Sequence, residues 1–195
     1  YGIEYFYNNV KSDAEKREIN TGELTPSASR YPDGKNNYSG ASVYAAYKMN
    51  LNEKMTISTG ARYNYIRLYS VIDDNSYYNM PFTEISLSNG ALTGSAGLVM
   101  KLSEKLQMNT NLSTGFRAPN IDDVGKMFDP APGVVVVPNP DLEPEYAYNA
   151  DIGLSKDFSG IVHIDMTAFL TSLNNAMIRH DFTFNGEDSI IYNGE

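Results

Sequence analysis

Between Leu106 and Phe116 the sequence alternates with a period of two, and no other feature restricts the fold of this chain as strongly. Leu106, Met108, Thr110, Leu112, Thr114 and Phe116 form one set, and Gln107, Asn109, Asn111, Ser113 and Gly115 the other. Successive side chains of a β-strand point to opposite faces, so this strand has one apolar side and one side of small polar groups. A soluble sheet with one buried face meets that description, and so does the wall of a transmembrane barrel with a wet lumen.

The same rhythm recurs along the chain and predicts an all-β, antiparallel up-and-down meander. Strands are expected at Tyr1–Tyr7, Tyr38–Met49, Met55–Tyr69, Gly90–Lys101, Leu106–Phe116, from Glu145 to about Lys156, and from Val162 to Leu170. The second is ambiguous in facing, because Ala41, Val43, Ala45 and Tyr47 compete with Tyr44 and Ala46. Long polar loops are expected at about 10–37, 70–89 and 117–144, the first marked by turn signals at Tyr31-Pro32-Asp33-Gly34. Short connections alternate with these long ones, so one end of the sheet has tight turns and the other large loops, as in outer-membrane barrels. Leu51-Asn52-Glu53-Lys54-Met55 also matches Leu102-Ser103-Glu104-Lys105-Leu106, one double hairpin later. The residues after Leu170 read as a further loop with a small hairpin.

The strand from Leu106 ends in Phe116-Arg117-Ala118-Pro119-Asn120, and about twenty residues later Asn139-Pro140-Asp141-Leu142-Glu143-Pro144-Glu145 leads into the next strand. In this pairing and order, the two motifs resemble those of TonB-dependent outer-membrane receptors, at the two ends of one extracellular loop late in the barrel. The resemblance implies that the chain is an arc of about seven or eight strands from a transmembrane β-barrel of about 22 strands. The first residue lies inside a strand and the last in no closing strand, so the chain reads as a piece of that barrel domain, without the plug.

Composition restricts function by exclusion. The net charge of −9 and pI near 4.7 disfavour nucleic acid as a partner. The chain has no cysteine, so neither disulfides nor thiolate metal sites are expected. No apolar run is long enough for a membrane helix, which leaves a barrel untouched. The 15 Tyr and 8 Phe suit both strands and interfacial aromatic girdles. Catalysis has little support: His163 and Asp165 share a face and His180 adjoins Asp181, but no serine or cysteine near either sits in a nucleophile motif.

Candidate ligand-binding residues lie in the long loops. Arg117 and Asn120 stand where the fifth strand emerges, either anchoring a substrate loop or only shaping it. Pro119 ends the strand, and the proline-flanked Glu143 and Glu145 favour a rigid start to the next. Tyr77, Tyr78, Met127 and Phe128 form either an aromatic platform for a ligand or ordinary loop packing. Asp73, Asp74, Asp122, Asp123, Asp129 and Asp141 make two loops acidic, without calcium-loop spacing, so no metal site and no cofactor is expected. In haem-binding relatives a histidine lies between the two motifs; here residues 121–137 contain none, which disfavours haem.

The resemblance therefore implies energised uptake: TonB acting through regions outside this chain, outer-membrane lipid around the wall, and a small-molecule substrate such as a ferric siderophore or other iron chelate. Cobalamin and oligosaccharide come next as substrates. A passive barrel (porin or adhesin) and a soluble β-sandwich binding module are the alternatives.

Overall fold

A computed structural model describes residues 1–76, 82–124, 139–179, 181, 183 and 186–188, together with the backbone of 128–131 and 134–136. Seven long strands form one antiparallel sheet, and the small strands decorate its loops. In chain order the elements are β1 (Gly2–Val10), β2 (Glu15–Arg17), β3 (Leu24–Pro26), β4 (Asn36–Asn52), β5 (Met55–Val71), β6 (Glu84–Ser103), β7 (Leu106–Arg117), α1 (Ile121–Val124), β8 (Phe128–Ala131), β9 (Val134–Val136), β10 (Glu145–Phe158) and β11 (Val162–Asn174). The sheet order β1-β4-β5-β6-β7-β10-β11 is that of a meander, and it forms an unclosed arc. Among the described residues no second large sheet faces it, so the sandwich alternative falls.

Register turns the one-dimensional alternation into two chemically distinct faces. On the outer face Ile3, Val43, Tyr63 and Leu92 stand in one row of partners across four strands. Met55, Met100, Met108, Leu154 and Met166 form another across five. Among the described residues no layer packs over these rows: Ile3 is 84%, Leu92 70% and Met166 69% exposed. An apolar face of this extent is stable only against lipid or a partner. The opposite face has rows such as Glu4–Ser42–Asn64 and Gly97–Asn111–Asp151, with Phe169 as an apolar exception.

The doubtful facing of β4 is decided by its neighbours. Tyr44 lies on the polar face, its ring 5.4 Å from the Arg62 guanidinium carbon. A Cβ at Gly2 would stand 2.6 Å from the Tyr44 hydroxyl, so the absence of a side chain at Gly2 makes room for that ring. Arg62 donates to Glu4 at 2.5 Å, Ser42 at 2.6 Å and Asn64 at 2.7 Å, joining three strands on that face.

The repeated sequence at the short turns is a repeated structure. Lys54 N–H donates to the Asn52 side chain and Lys105 N–H to that of Ser103, at 2.9 and 3.3 Å. Each turn follows a register shift, at Asn50/Asn52 and Lys101/Ser103. The third short turn, 159–161, has Ser159 and Gly160 both at positive φ, 55° and 73°, with Ile161 N–H donating to Phe158 C=O at 3.0 Å, a conformation that matches strand twist.

At the other end the strands run further than sequence implies. β5 continues to Val71 and β6 begins at Glu84, so the second loop is 72–83 rather than 70–89. The reason is tertiary: Leu68, Ser70 and Ile85 are almost fully buried on the inner face, which keeps the hairpin paired well beyond its sequence signal. Loop 1 (residues 11–35) contains the β2–β3 hairpin, and loop 3 (118–144) contains α1 and the β8–β9 pair.

Candidate functional site

The long-loop end carries the only sizeable core among the described residues, and the motif residues build it. Leu68, Ile85 and Val124 are buried together, with Tyr38, Phe82, Leu87, Ile121 and Leu142 packed around them. Val124 lies on α1, directly after the Phe116–Asn120 motif, and Leu142 belongs to the second motif. Tyr38, Leu68 and Leu87 are register partners on the inner face, so loop 3 turns inward and lies on that face.

The local sequence explains the inward turn. Ala118 and Pro119 are buried, and the proline stops β7. Asn120 Oδ1 accepts from the Asp122 and Asp123 N–H groups at 2.8 and 3.3 Å, while Asp123 returns a bond to Asn120 N–H at 3.0 Å. This reciprocal cap starts α1 immediately after the strand. Arg117 then spans the loop: Nη2 reaches Asp123 at 2.6 Å and Nη1 reaches Glu145 at 2.9 Å. Glu145 also accepts from Met177 N–H at 2.7 Å, and Glu143 from the Asn175 side chain at 3.1 Å. Asn139 closes a turn by accepting from Asp141 N–H at 2.9 Å. Phe116 points to the outer face, its ring 5.5 Å from that of Tyr146. Arg117 and Asn120 thus fix the base of loop 3.

The expected aromatic platform lies outside the described residues. Tyr77, Tyr78 and Met127 lie outside the described residues, as does the side chain of Phe128, whose backbone belongs to β8. His180 is likewise outside them. His163 lies on the inner face near the short turns, between Asp157 at 2.6 Å and Asp165 at 2.9 Å. Among the described residues no group of three His, Cys, Asp or Glu is arranged to hold a metal.

Sequence reading missed the hub of the loops. Asn36, fully buried, donates to the carbonyls of Val10, Pro32 and Gly34 at 3.1, 2.7 and 3.3 Å and accepts from Ser70 at 2.5 Å. Asp33 accepts from the N–H groups of Asp73 and Asp74 at 2.9 and 3.1 Å, tying loop 1 to loop 2. Tyr31 donates to Asp122 at 2.6 Å, tying loop 1 to loop 3. That hydrogen bond, with burial and the Asp122 charge, holds the Tyr31 phenol pKa above its ordinary value. The available signal was Tyr31-Pro32-Asp33-Gly34, which reads as a turn and is also an anchor.

An antiparallel arc with an outward apolar face, tight turns at one end and inward-packed loops at the other defines a barrel-wall protein. The family described as TonB dependent receptor-like, beta-barrel matches residues 1–189, and the chain belongs to it. Among solved structures, 90% of the chain superposes on a double mutant of the Serratia marcescens hemophore receptor HasR in complex with its hemophore HasA and heme, with TM-score 0.70 and 17% identity. The copper transporter OprC matches 88% of the chain with TM-score 0.68 and 14% identity. The chain spans 30% and 26% of those two chains. At these identities the likeness concerns the fold. No curated protein matches it in sequence.

Proposed function

We propose that this chain is part of the wall and mouth of an outer-membrane receptor that takes up a scarce nutrient with energy from TonB. The full barrel has about 22 strands around a plugged lumen, and TonB engages regions outside this chain. The observation that carries the reading is the clasp of Arg117 with Asp123 and Glu145, which folds loop 3 inward within a chain of this family. A wall serving only as a passive pore has no evident need for three loops tied together over its inner face.

A ferric siderophore or other iron chelate is the substrate class we favour. The net charge of −9 and the acidic loops favour a chelate without strong negative charge. The structure of HasR holds heme, but residues 121–137 offer no histidine to haem iron, so that ligand is not carried over. Arg117 and Asn120 act by positioning the loop, and Tyr77, Tyr78 and Phe128 remain the candidates for ligand contact.

The test is uptake of radiolabelled iron, presented as a panel of ferric chelates, by cells with the intact receptor, with and without TonB. Saturable, TonB-dependent uptake of one chelate supports the reading. TonB-independent entry of small solutes would replace it with a passive barrel.

A further inference from the structure

Loop 1 has two mechanically different parts. Its base, 32–36, is held by the buried Pro32 and Asn36 and by the Asp33 bonds to loop 2. Its arm, the β2–β3 hairpin, is exposed at all six strand residues and is closed on itself, with Ser27 N–H donating to Ala14 C=O at 3.0 Å. Between base and arm stands Tyr31, whose hydroxyl reaches 91 residues along the chain to Asp122. Asp122 lies on α1, which is fixed to the wall by the burial of Val124 and the Arg117–Asp123 ion pair. A cavity of about 260 Å³ lies at the junction, with Ala14, Glu15 and Pro26 of the arm on one side and Asp33, Ile72 and Asp74 on the other.

We propose that the β2–β3 arm is a lid over this cavity, latched shut by the Tyr31 hydroxyl on Asp122. The wall-fixed helix supplies the catch, the buried Asn36 cluster supplies the hinge, and the exposed arm is the moving part. Among the described residues the Tyr31–Asp122 hydrogen bond joins the arm to α1, and its loss is expected to shift the open population on the order of tenfold. The lid governs access to the cavity whatever occupies it, and it does not depend on the uptake reading.

The test uses the intact receptor in detergent, with spin labels at Lys16→Cys on the arm and Ser88→Cys on the wall, any cysteine outside this chain being replaced. The wild-type background is expected to give one short distance. Y31F, which removes one oxygen atom, is expected to add a longer, broader population. D122N keeps a side-chain oxygen as acceptor but removes the charge, and is expected to fall between the wild type and Y31F. Hydrogen exchange of the arm's amides should rise in Y31F and less in D122N. If Y31F does not insert, D122A breaks the same bond from the other side and is read in the same way. A distance distribution unchanged in the latch-breaking variant would overturn the proposal, and because no substrate is used, that result leaves the uptake reading untouched.

Discussion

Arg117 and Glu145 are direct register partners on β7 and β10, and their side chains meet at 2.9 Å across the two ends of loop 3. The guanidinium continues to Asp123 at 2.6 Å, so one side chain fixes both the exit and the return of a loop spanning 118–144. Arg117 itself is about half exposed, whereas Asp123 and Glu145 are largely covered. R117A is expected to destabilise this end by about 1–2 kcal/mol, through carboxylates left without their cation. Limited proteolysis within loop 3 should accelerate severalfold. R117K should recover only part of the protection, because an ammonium does not span both carboxylates as a fork does.

Val124 is fully buried against Leu68 and Ile85. V124A should cost about 2 kcal/mol from lost methyl burial and the cavity left behind, and V124D more, by burying an unpaired charge. Loop 3 proteolysis or thermal unfolding of the intact receptor reads both. Equal behaviour of V124D and wild type would show that α1 does not lie on the inner face.

The Asn36 amide satisfies three carbonyls and a hydroxyl at once. N36A removes this partner from the buried Pro32 carbonyl and Ser70 hydroxyl and is expected to cost about 2–4 kcal/mol. N36D should be nearly as damaging, since a carboxylate accepts from Ser70 but donates to none of the carbonyls. Hydrogen exchange should rise in loops 1 and 2 together.

Facing can be tested by charge. Leu112 is 62% exposed on the outer face, and its neighbour Ser113 lies on the inner face. L112R should destabilise the barrel in a bilayer by about 2–4 kcal/mol, the cost of arginine near the midplane, while S113R should cost much less. The ratio is read from denaturant unfolding in lipid vesicles, and the reverse order would invert the assignment of faces.

Tyr31 predicts a pH dependence. Its phenol pKa is raised chiefly by the hydrogen bond to Asp122, then by burial and the Asp122 charge, with Arg30 acting in the opposite direction. The neutral phenol is the form favoured by folding, so this contribution is fully present below the ordinary phenol pKa of about 10 and is lost as pH rises through the higher folded value. Ultraviolet titration should show one fewer late-titrating phenol in Y31F than in the wild type.

The wall was legible in the sequence because a period of two is a local property. Met108 and Leu112 on one side and Asn109 and Asn111 on the other need only a strand to separate them, and the structure keeps every such set intact. The short turns were legible for the same reason, since Asn52 and Ser103 act on backbone two residues away. The two motifs, about twenty residues apart, were visible as patterns, but their ion pair was not.

Sequence by itself thus determined the meander, its two faces and its two unlike ends, all of which follow from bonding between neighbouring residues and strands. Tertiary structure decided the rest. Tyr44 turned inward because Gly2 and Arg62 made room and a partner for its ring. β5 and β6 outran their sequence signal because Leu68 and Ile85 found Val124 to pack on. The loops became one assembly because Tyr31 and Asp122, 91 residues apart, came within hydrogen-bonding distance. Such contacts join segments whose separation along the chain carries no periodic signal, and only the curved sheet brings them together.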